Sequence, residues 1–133
     1  MTLEQNLKTV LDKIENSKSK SVWGQQVELI AATKTRDIST IEELYHLGIK
    51  TIGENRIQEA EKKFSVFPGF KNIKKRFIGH LQSNKTKKCL TLFDSIDSID
   101  TIKLAKKINS TLQETKKKVE CLIEINTSGE PQK

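Results

Sequence analysis

The sequence is poor in the residues that build metal sites, disulfide frameworks and aromatic surfaces. It holds two cysteines, two histidines, one tryptophan and one tyrosine among 133 residues. Cys89 and Cys121 lie far apart in apolar-patterned segments, so we expect reduced, buried, structural thiols. With only His46 and His80 beside them, the pattern does not favour a structural zinc site, and we expect no metal.

Long apolar runs are also absent. The chain has no run of about 18 apolar residues and no signal-peptide core, which predicts a soluble cytoplasmic protein without membrane association. It contains no Gly-rich phosphate loop of the Walker or dinucleotide-binding type. Internal repeats and low-complexity linkers are missing as well, so residues 1–133 are expected to belong to a single domain.

Positive charge, in contrast, is plentiful. The chain has 24 Lys and Arg residues against 17 Asp and Glu residues, a formal net charge of +7. Nearly all of the excess is lysine, in short runs spread over predicted helix faces and loops. Aromatic residues are not interleaved with these runs, as a single-strand stacking surface would require. Solvated helix faces are therefore favoured, and a basic nucleic-acid-binding module is kept as an alternative.

Hydrophobic periodicity predicts strands that alternate with helices. Residues 1–22 contain a leading amphipathic helix, and residues 27–133 read as successive βα units. Five strands are predicted, at about 27–33, 50–53, 76–79, 92–95 and 119–126. No hairpin turn joins them, which indicates an α/β protein with parallel strands and right-handed crossovers. An open doubly wound sheet and part of a (β/α)8 TIM-type barrel both fit; a complete barrel needs about 250 residues.

Residues that commonly cap helices indicate where the predicted helices begin. Ser39 opens one helix in the form of a capping box, and Asn55 occupies the cap position of the next. Asp97 or Ser98 is expected to cap the longest helix, with Ile99 on its inner face.

The first predicted strand places Lys34 at its carboxyl end. One interpretation is a solvated lysine just past the strand; the other is an amine held at the mouth of a barrel for covalent chemistry with an aldehyde. If Lys34 points inward, alternation puts Ile30 and Ala32 on the same face and the residues between them towards the helices. Enclosure would lower the lysine pKa from about 10.4 towards neutrality and make the amine nucleophilic.

Polar groups follow the other predicted strands, at the rim where parallel barrels bind ligands. Each has an ordinary explanation: Asn55 can cap a helix, His80 can close a turn, and Asn126 with Gly129 can shape a loop. The amino ends of the strands are expected to be comparatively plain. The rim groups are Lys34, Glu54-Asn55-Arg56, His80 with Gln82-Ser83-Asn84, Asp94-Ser95 and Asn126-Thr127-Ser128-Gly129.

Five segments at these positions resemble, in order and spacing, the signature segments of the pyridoxal phosphate homeostasis protein family. They are Ala31–Thr35, Gly53–Glu59, Phe77–Lys85, Ser95–Ser98 and Ile125–Glu130.

The resemblance implies the fold-type III barrel shared with alanine racemase, with about the first five strands present. It assigns Lys34 to a Schiff base with pyridoxal 5′-phosphate and, with less weight, Asn55 and His80 to the cofactor rim. It assigns no catalytic residue.

Two features depart from the family pattern. Lys75-Arg76 stands where members often have Trp-His. The family also continues past the Ser-Gly-Glu loop, through Ser/Gly/Thr-rich segments expected to hold the cofactor phosphate and an arginine near the pyridine nitrogen. Lys133, in a Ser-Gly-Glu-x-x-Lys pattern, is the last residue here. The chain therefore resembles an amino-terminal fragment, whose open strand edges favour self-association.

The function implied by the resemblance is cofactor binding for intracellular pyridoxal phosphate homeostasis, without established catalytic turnover. Pyridoxal-phosphate-dependent apoenzymes are the expected macromolecular partners. The enzyme alternative is a racemase-like protein acting on amino acids. It would require a second base on the opposite cofactor face and a substrate domain, and neither is visible in the sequence.

Overall fold

A computed structural model describes residues 1–131 of the chain and places five parallel strands in one sheet. The strands are β1 Ala31–Ala32, β2 Thr51–Glu54, β3 Lys74–Phe77, β4 Ser95–Ile99 and β5 Glu120–Ile123. Each strand pairs with the next one in the sequence, in the order β1-β2-β3-β4-β5. This sequential order is that of a (β/α)8 barrel and not of a doubly wound sheet, which reverses direction at a switch point.

Helices connect the strands and cover one face of the sheet. They are α1 Leu3–Lys18, α2 Ile38–His46, α3 Ile57–Phe64, α4 Thr86–Leu92 and α5 Ile102–Thr115, with short 3-10 turns at Pro68–Asn72 and Ser83–Lys85. Two apolar clusters lie between the helices and the sheet. One includes Phe77 and Ile96, the other includes Ile41 and Ile52, and the partly buried Phe64 packs against both. The hydrophobic core is therefore on the helical side of the sheet.

The fourth strand lies later in the sequence than predicted. β4 is Ser95–Ile99, and α5 begins only after Thr101, whose hydroxyl accepts a hydrogen bond from the Leu104 amide. Asp97 and Ser98 are therefore strand residues and not helix caps, and Ile99 belongs to the strand. Ser95 and Asp97 face the side of the sheet away from the helices, where Asp97 pairs with Arg76, and these polar residues made the segment resemble a helix start. As a consequence, Asp94 and Ser95 lie at the amino end of a strand and not at the ligand-binding rim.

Two other predicted caps were also wrong. Asp37 caps α2 by accepting a hydrogen bond from the Thr40 amide, and Ser39 lies inside the helix. The α3 helix follows Arg56, which makes no side-chain cap hydrogen bond, so Asn55 is not a cap. The sequence pattern located each helix but misplaced its first residue, because several polar side chains compete for the cap position.

The two cysteines differ from each other. Cys89 is buried, as predicted, and burial raises the pKa of its thiol to about 12. Cys121 is exposed on β5, against the prediction, although both cysteines are free. Cys89 is therefore an unreactive core residue.

The end of α5 offers a test of the local backbone. Lys116 follows the helix with φ 54°, a left-handed conformation that glycine adopts without strain. We expect Lys116→Gly to raise the free energy of unfolding by about 0.5–1 kcal/mol, measured by urea denaturation. Lys106→Gly, within the same helix, should lower it by about 1 kcal/mol. Destabilisation by both variants would contradict the assignment.

The sheet is open at both sides. β1 and β5 are its edge strands, and all four β5 residues are exposed. Within residues 1–131, every helix is too short or too polar to cross a membrane.

Candidate functional site

Lys34 lies just past β1, on the sheet face opposite the helices. The Thr33 amide donates a hydrogen bond of 2.9 Å to the Gly53 carbonyl, which continues the pairing of β1 with β2 beyond its assigned end. Thr33 is buried towards the helices, whereas Ala32 and Lys34 are exposed on the other face. The predicted alternation is therefore confirmed. Lys34 is exposed within residues 1–131, so these residues alone do not provide the enclosure that one of the two interpretations required.

A buried ion cluster holds the backbone around Lys34 from the helical side. The ammonium of Lys63, in α3, donates to the Thr33 carbonyl at 2.9 Å, to Glu54 Oε1 at 2.8 Å and to Glu59 Oε1 at 2.7 Å. The Thr33 hydroxyl donates to the same Glu54 oxygen at 2.7 Å. Glu54 is fully buried and the Lys63 side chain is 9% exposed. Burying this lysine is tolerated because all three of its donors have acceptors.

Thr35, the residue after Lys34, is strained. Its φ is 64°, a left-handed value that costs a β-branched residue roughly 1–3 kcal/mol. Its amide donates to Glu59 Oε1 at 2.8 Å, so Glu59 bridges this turn to the Lys63 ammonium. Neither Glu59 nor Lys63 was predicted from the sequence as part of the site. The signal was available, because Glu59 and Lys63 are spaced i, i+4 on a helix.

The Glu59 carboxylate predicts a pH dependence of stability. The hydrogen bond from Lys63, aided by the Thr35 amide and by the Arg56 charge, lowers the pKa of Glu59 below its ordinary value of 4.5. A group whose pKa is lowered by folding stabilises the native state at pH above its unfolded value, and loses that contribution as pH falls through the folded value.

We therefore expect the free energy of unfolding of the native sequence to fall below about pH 4.5 more steeply than that of Glu59→Gln. Denaturant titrations at a series of pH values measure this difference. Parallel curves for the two proteins would contradict the assignment.

Asn55 and His80 come together after β2 and β3. Both line a cavity of about 230 Å³, together with Arg56, Gln82 and Lys85; Lys34 is not among its lining residues. Asn55 is half-buried, whereas the His80 side chain is 73% exposed, with Nδ1 3.3 Å from Asp100 Oδ2. The structure thus brings two of the three predicted site residues to one cavity and places Lys34 at the end of the neighbouring strand.

Gly79 permits this close approach of the two strand ends. A Cβ atom at this position would lie 2.3 Å from the Asn55 carbonyl oxygen. Because this oxygen belongs to the backbone, moving it would require a costly displacement of the chain.

We expect Gly79→Ala to lower the free energy of unfolding by about 1–3 kcal/mol through overpacking and to displace Asn55. Gly53→Ala is the matched control, because its Cβ would meet side-chain atoms and no backbone: Ile78 Cδ1 at 2.9 Å, Ile78 Cγ2 at 3.2 Å and Ile30 Cγ2 at 3.4 Å. Urea denaturation of both variants tests the prediction; a smaller loss for Gly79→Ala than for the control would contradict it.

The amino ends of the strands were expected to be comparatively plain, and this expectation was wrong. They carry a network of charged side chains that we call the inner-face charge cluster: Glu28, Lys74, Arg76, Asp97 and Glu120. Arg76 donates through Nε and Nη2 to Asp97 at 2.8 and 3.0 Å, and through Nη2 to Glu120 at 3.0 Å. Lys74 donates to Glu120 at 2.8 Å. Arg76 is thus the centre of this cluster, whereas the Lys75 ammonium donates to the Phe70 and Ile73 carbonyls.

The last predicted rim segment forms a self-contained turn. Asn126 Oδ1 accepts a hydrogen bond of 2.9 Å from the Gly129 amide, and Asn126 Nδ2 donates to the Glu130 carbonyl at 3.0 Å. Gly129 has φ 68°, which suits glycine. The ordinary explanation of these residues is therefore sufficient. Lys133 lies outside the described residues, and among residues 1–131 no group of three or more His, Cys, Asp and Glu side chains could hold a metal ion.

Solved structures with the same architecture identify the class of protein. The chain matches PipY of Synechococcus elongatus without pyridoxal phosphate with a TM-score of 0.76 at 29% identity, covering 92% of this chain and 56% of that one. PipY with pyridoxal phosphate bound matches with a TM-score of 0.74 at 26% identity, covering 86% of this chain and 55% of that one. An unknown protein from Bifidobacterium adolescentis matches with a TM-score of 0.82 at 36% identity, covering 98% of this chain and 57% of that one. The class is an α/β protein with the TIM-barrel fold, of which the chain covers part.

Curated relatives identify the family. The chain is 37% identical over 136 residues to the pyridoxal phosphate homeostasis protein of Pasteurella multocida, covering 100% of this chain and 58% of the relative. It is 37% identical over 125 residues to the protein of that name from Schizosaccharomyces pombe, covering 92% and 52%. No family model matches the chain. The pyridoxal phosphate homeostasis proteins are therefore the family that the chain matches, as the sequence resemblance indicated, and the chain spans somewhat more than half the length of these relatives.

Proposed function

We propose that this chain binds pyridoxal 5′-phosphate and that Lys34 holds it as a Schiff base, with Asn55 and His80 contacting it at the same rim. The observation that carries the proposal is the position of Lys34. It is a primary amine at the carboxyl end of β1, on the open face of the sheet, beside the strand ends that carry Asn55 and His80. Ligands of parallel barrels bind at this end of the strands. The family match and the cofactor-bound PipY structure support the same assignment.

The residues present fit one end of the cofactor. Pyridoxal phosphate supplies an aldehyde that reacts reversibly with a neutral primary amine. Lys34 offers that amine on an accessible face, and the half-buried Asn55 offers amide donors and an acceptor. The Ser/Gly/Thr-rich segments that the resemblance assigns to the phosphate are not in this sequence. The proposal therefore concerns the aldehyde end of the cofactor, which Lys34 would hold in a reversible imine.

Reversible binding through an exposed lysine suits a carrier better than a catalyst. An exposed lysine leaves the bound cofactor accessible to a competing amine, and transfer to an apoenzyme requires that exchange. We propose that the chain buffers the cofactor and exchanges it with pyridoxal-phosphate-dependent apoenzymes, without catalytic turnover of its own. Self-association through the β1 or β5 edge is part of this proposal, because open strand edges can pair with another chain.

Titration with pyridoxal phosphate tests the proposal. We expect a visible absorbance band that saturates at one cofactor per chain and disappears when a competing primary amine is added. Pyridoxal without phosphate provides a matched probe of what the aldehyde alone contributes. Absorbance that rises without saturation, in proportion to the total lysine content, would contradict a defined site.

A further inference from the structure

The backbone on both sides of Lys34 is fixed by side chains that lie behind the sheet. The Thr33 carbonyl accepts from Lys63 and the Thr35 amide donates to Glu59, with both contacts shorter than 3 Å. Lys63 and Glu59 contact each other at 2.7 Å, so one ion pair on α3 holds the residue before Lys34 and the residue after it. Lys34 itself makes no part of this network.

We propose that Lys63 and Glu59 are positioning residues that fix the direction in which Lys34 leaves the sheet. This inference rests on the proposed function of Lys34, which it deepens by naming the groups that aim its amine. Neither residue would contact the cofactor, because both act from the helical side, opposite the face on which Lys34 is exposed.

Backbone strain at Thr35 supports a positioning role. The left-handed φ of 64° persists only where surrounding contacts stabilise it, and the Glu59 hydrogen bond is the contact that the structure provides to the Thr35 amide. If that contact is lost, we expect Thr35 to relax towards negative φ. The rotation would turn the adjacent Lys34 Cα–Cβ bond away from the strand-end rim. A lysine attached to a mobile turn samples many directions, which lowers the fraction of time in which its amine faces a bound aldehyde.

The charge state of the cluster suits this task. Lys63 directs its three donors to the Thr33 carbonyl, Glu54 and Glu59, while the buried Glu54 Oε2 has no hydrogen-bond partner among the described residues. Removal of the ammonium would leave the Glu54 carboxylate buried without a counterion, which is strongly destabilising. Lys63→Met is therefore expected to unfold the chain, and the decisive variants are those of the less buried Glu59.

Two variants of Glu59 and one control separate positioning from stability. Glu59→Ala removes the acceptor of the Thr35 amide, whereas Glu59→Gln retains a carbonyl oxygen at the same place. Glu61→Ala is the matched control, because Glu61 lies on the same helix and pairs with exposed Lys88 at 2.6 Å, remote from the Lys34 turn. All three are compared with the native sequence below their unfolding temperatures.

The first readout uses no cofactor. Amide hydrogen exchange at Thr35 should accelerate about tenfold or more in Glu59→Ala and stay near the native rate in Glu59→Gln and Glu61→Ala. The second readout is selectivity: after pyridoxal phosphate addition and borohydride reduction, the ratio of label at Lys34 to label at other lysines should fall about tenfold in Glu59→Ala alone.

The outcomes separate the two claims. Faster Thr35 exchange with lower Lys34 selectivity in Glu59→Ala, rescued by Glu59→Gln, supports positioning. Unchanged selectivity in Glu59→Ala, with only a lower unfolding temperature, would overturn positioning while the proposed function stands. Absence of selective Lys34 labelling in the native sequence would instead overturn the proposed function, and the positioning claim with it. Native Thr35 exchange in Glu59→Ala would overturn positioning whatever the labelling result.

Discussion

Lys34→Arg is expected to abolish saturable cofactor binding. Arginine keeps the positive charge and most of the length of the side chain, but its guanidinium stays protonated and does not form a Schiff base with an aldehyde. The backbone contacts of Thr33 and Thr35 do not involve the Lys34 side chain, so the variant should fold normally. The visible absorbance band should therefore disappear while the urea denaturation midpoint stays unchanged.

The control for this variant is Lys85→Arg. Lys85 lines the cavity that contains Asn55 and His80, so it is a lysine at the same rim. We expect it to retain the absorbance band and the one-to-one stoichiometry. If Lys34→Arg saturates as the native chain does, or if Lys85→Arg is the variant that loses the band, the assignment of Lys34 would be wrong.

Arg76→Met is expected to cause a large loss of stability. The Arg76 side chain is 5% exposed and is the shared donor to Asp97, which is 14% exposed, and to Glu120. The hydrogen bonds that the guanidinium donates to Asp97 and, with a smaller effect, to Glu120 raise its pKa, so it is charged at all ordinary pH values. Removing one partner of a buried pair leaves uncompensated charge, and we expect a loss of about 3 kcal/mol or more.

Lys88→Met provides the contrast. Lys88 and Glu61 lie 2.6 Å apart, but their side chains are 45% and 50% exposed. Exposed pairs contribute at most about 1 kcal/mol, so this variant should stay close to the native sequence in urea denaturation. Equal losses for the two variants would show that the inner-face charge cluster does not stabilise the sheet.

Apolar periodicity was sufficient to predict parallel strands alternating with helices, whereas the choice of a barrel over a doubly wound sheet came from the family resemblance. The absence of hairpin turns between predicted strands indicated parallel pairing, and the alternation at Ile30 to Lys34 correctly separated the helical face from the open face. These features depend on local side-chain period, which the sequence shows directly. The position of β4 was predicted wrongly because Ser95 and Asp97 are polar residues on the inner face of the sheet, where Asp97 pairs with Arg76. The alternation of apolar and polar residues in this strand therefore differs from that of the other strands.

The candidate site was less accessible to prediction for a different reason. The burial of Lys63 and Glu54 depends on the packing of α3 against the end of β1, which is a tertiary arrangement that single-strand patterns do not contain. The exposure of Lys34 likewise depends on what covers the open face, and not on the strand that carries it. Motif resemblance identified Lys34 as a candidate, but only the structure revealed the groups that hold the turn around it.

Peptide mapping after borohydride reduction of a pyridoxal phosphate mixture measures the central claim most directly. If Lys34 forms the Schiff base, we expect one dominant pyridoxyl-labelled peptide at substoichiometric cofactor, with the label on Lys34. An unlabelled Lys34, or equal labelling of the many exposed lysines, would contradict it.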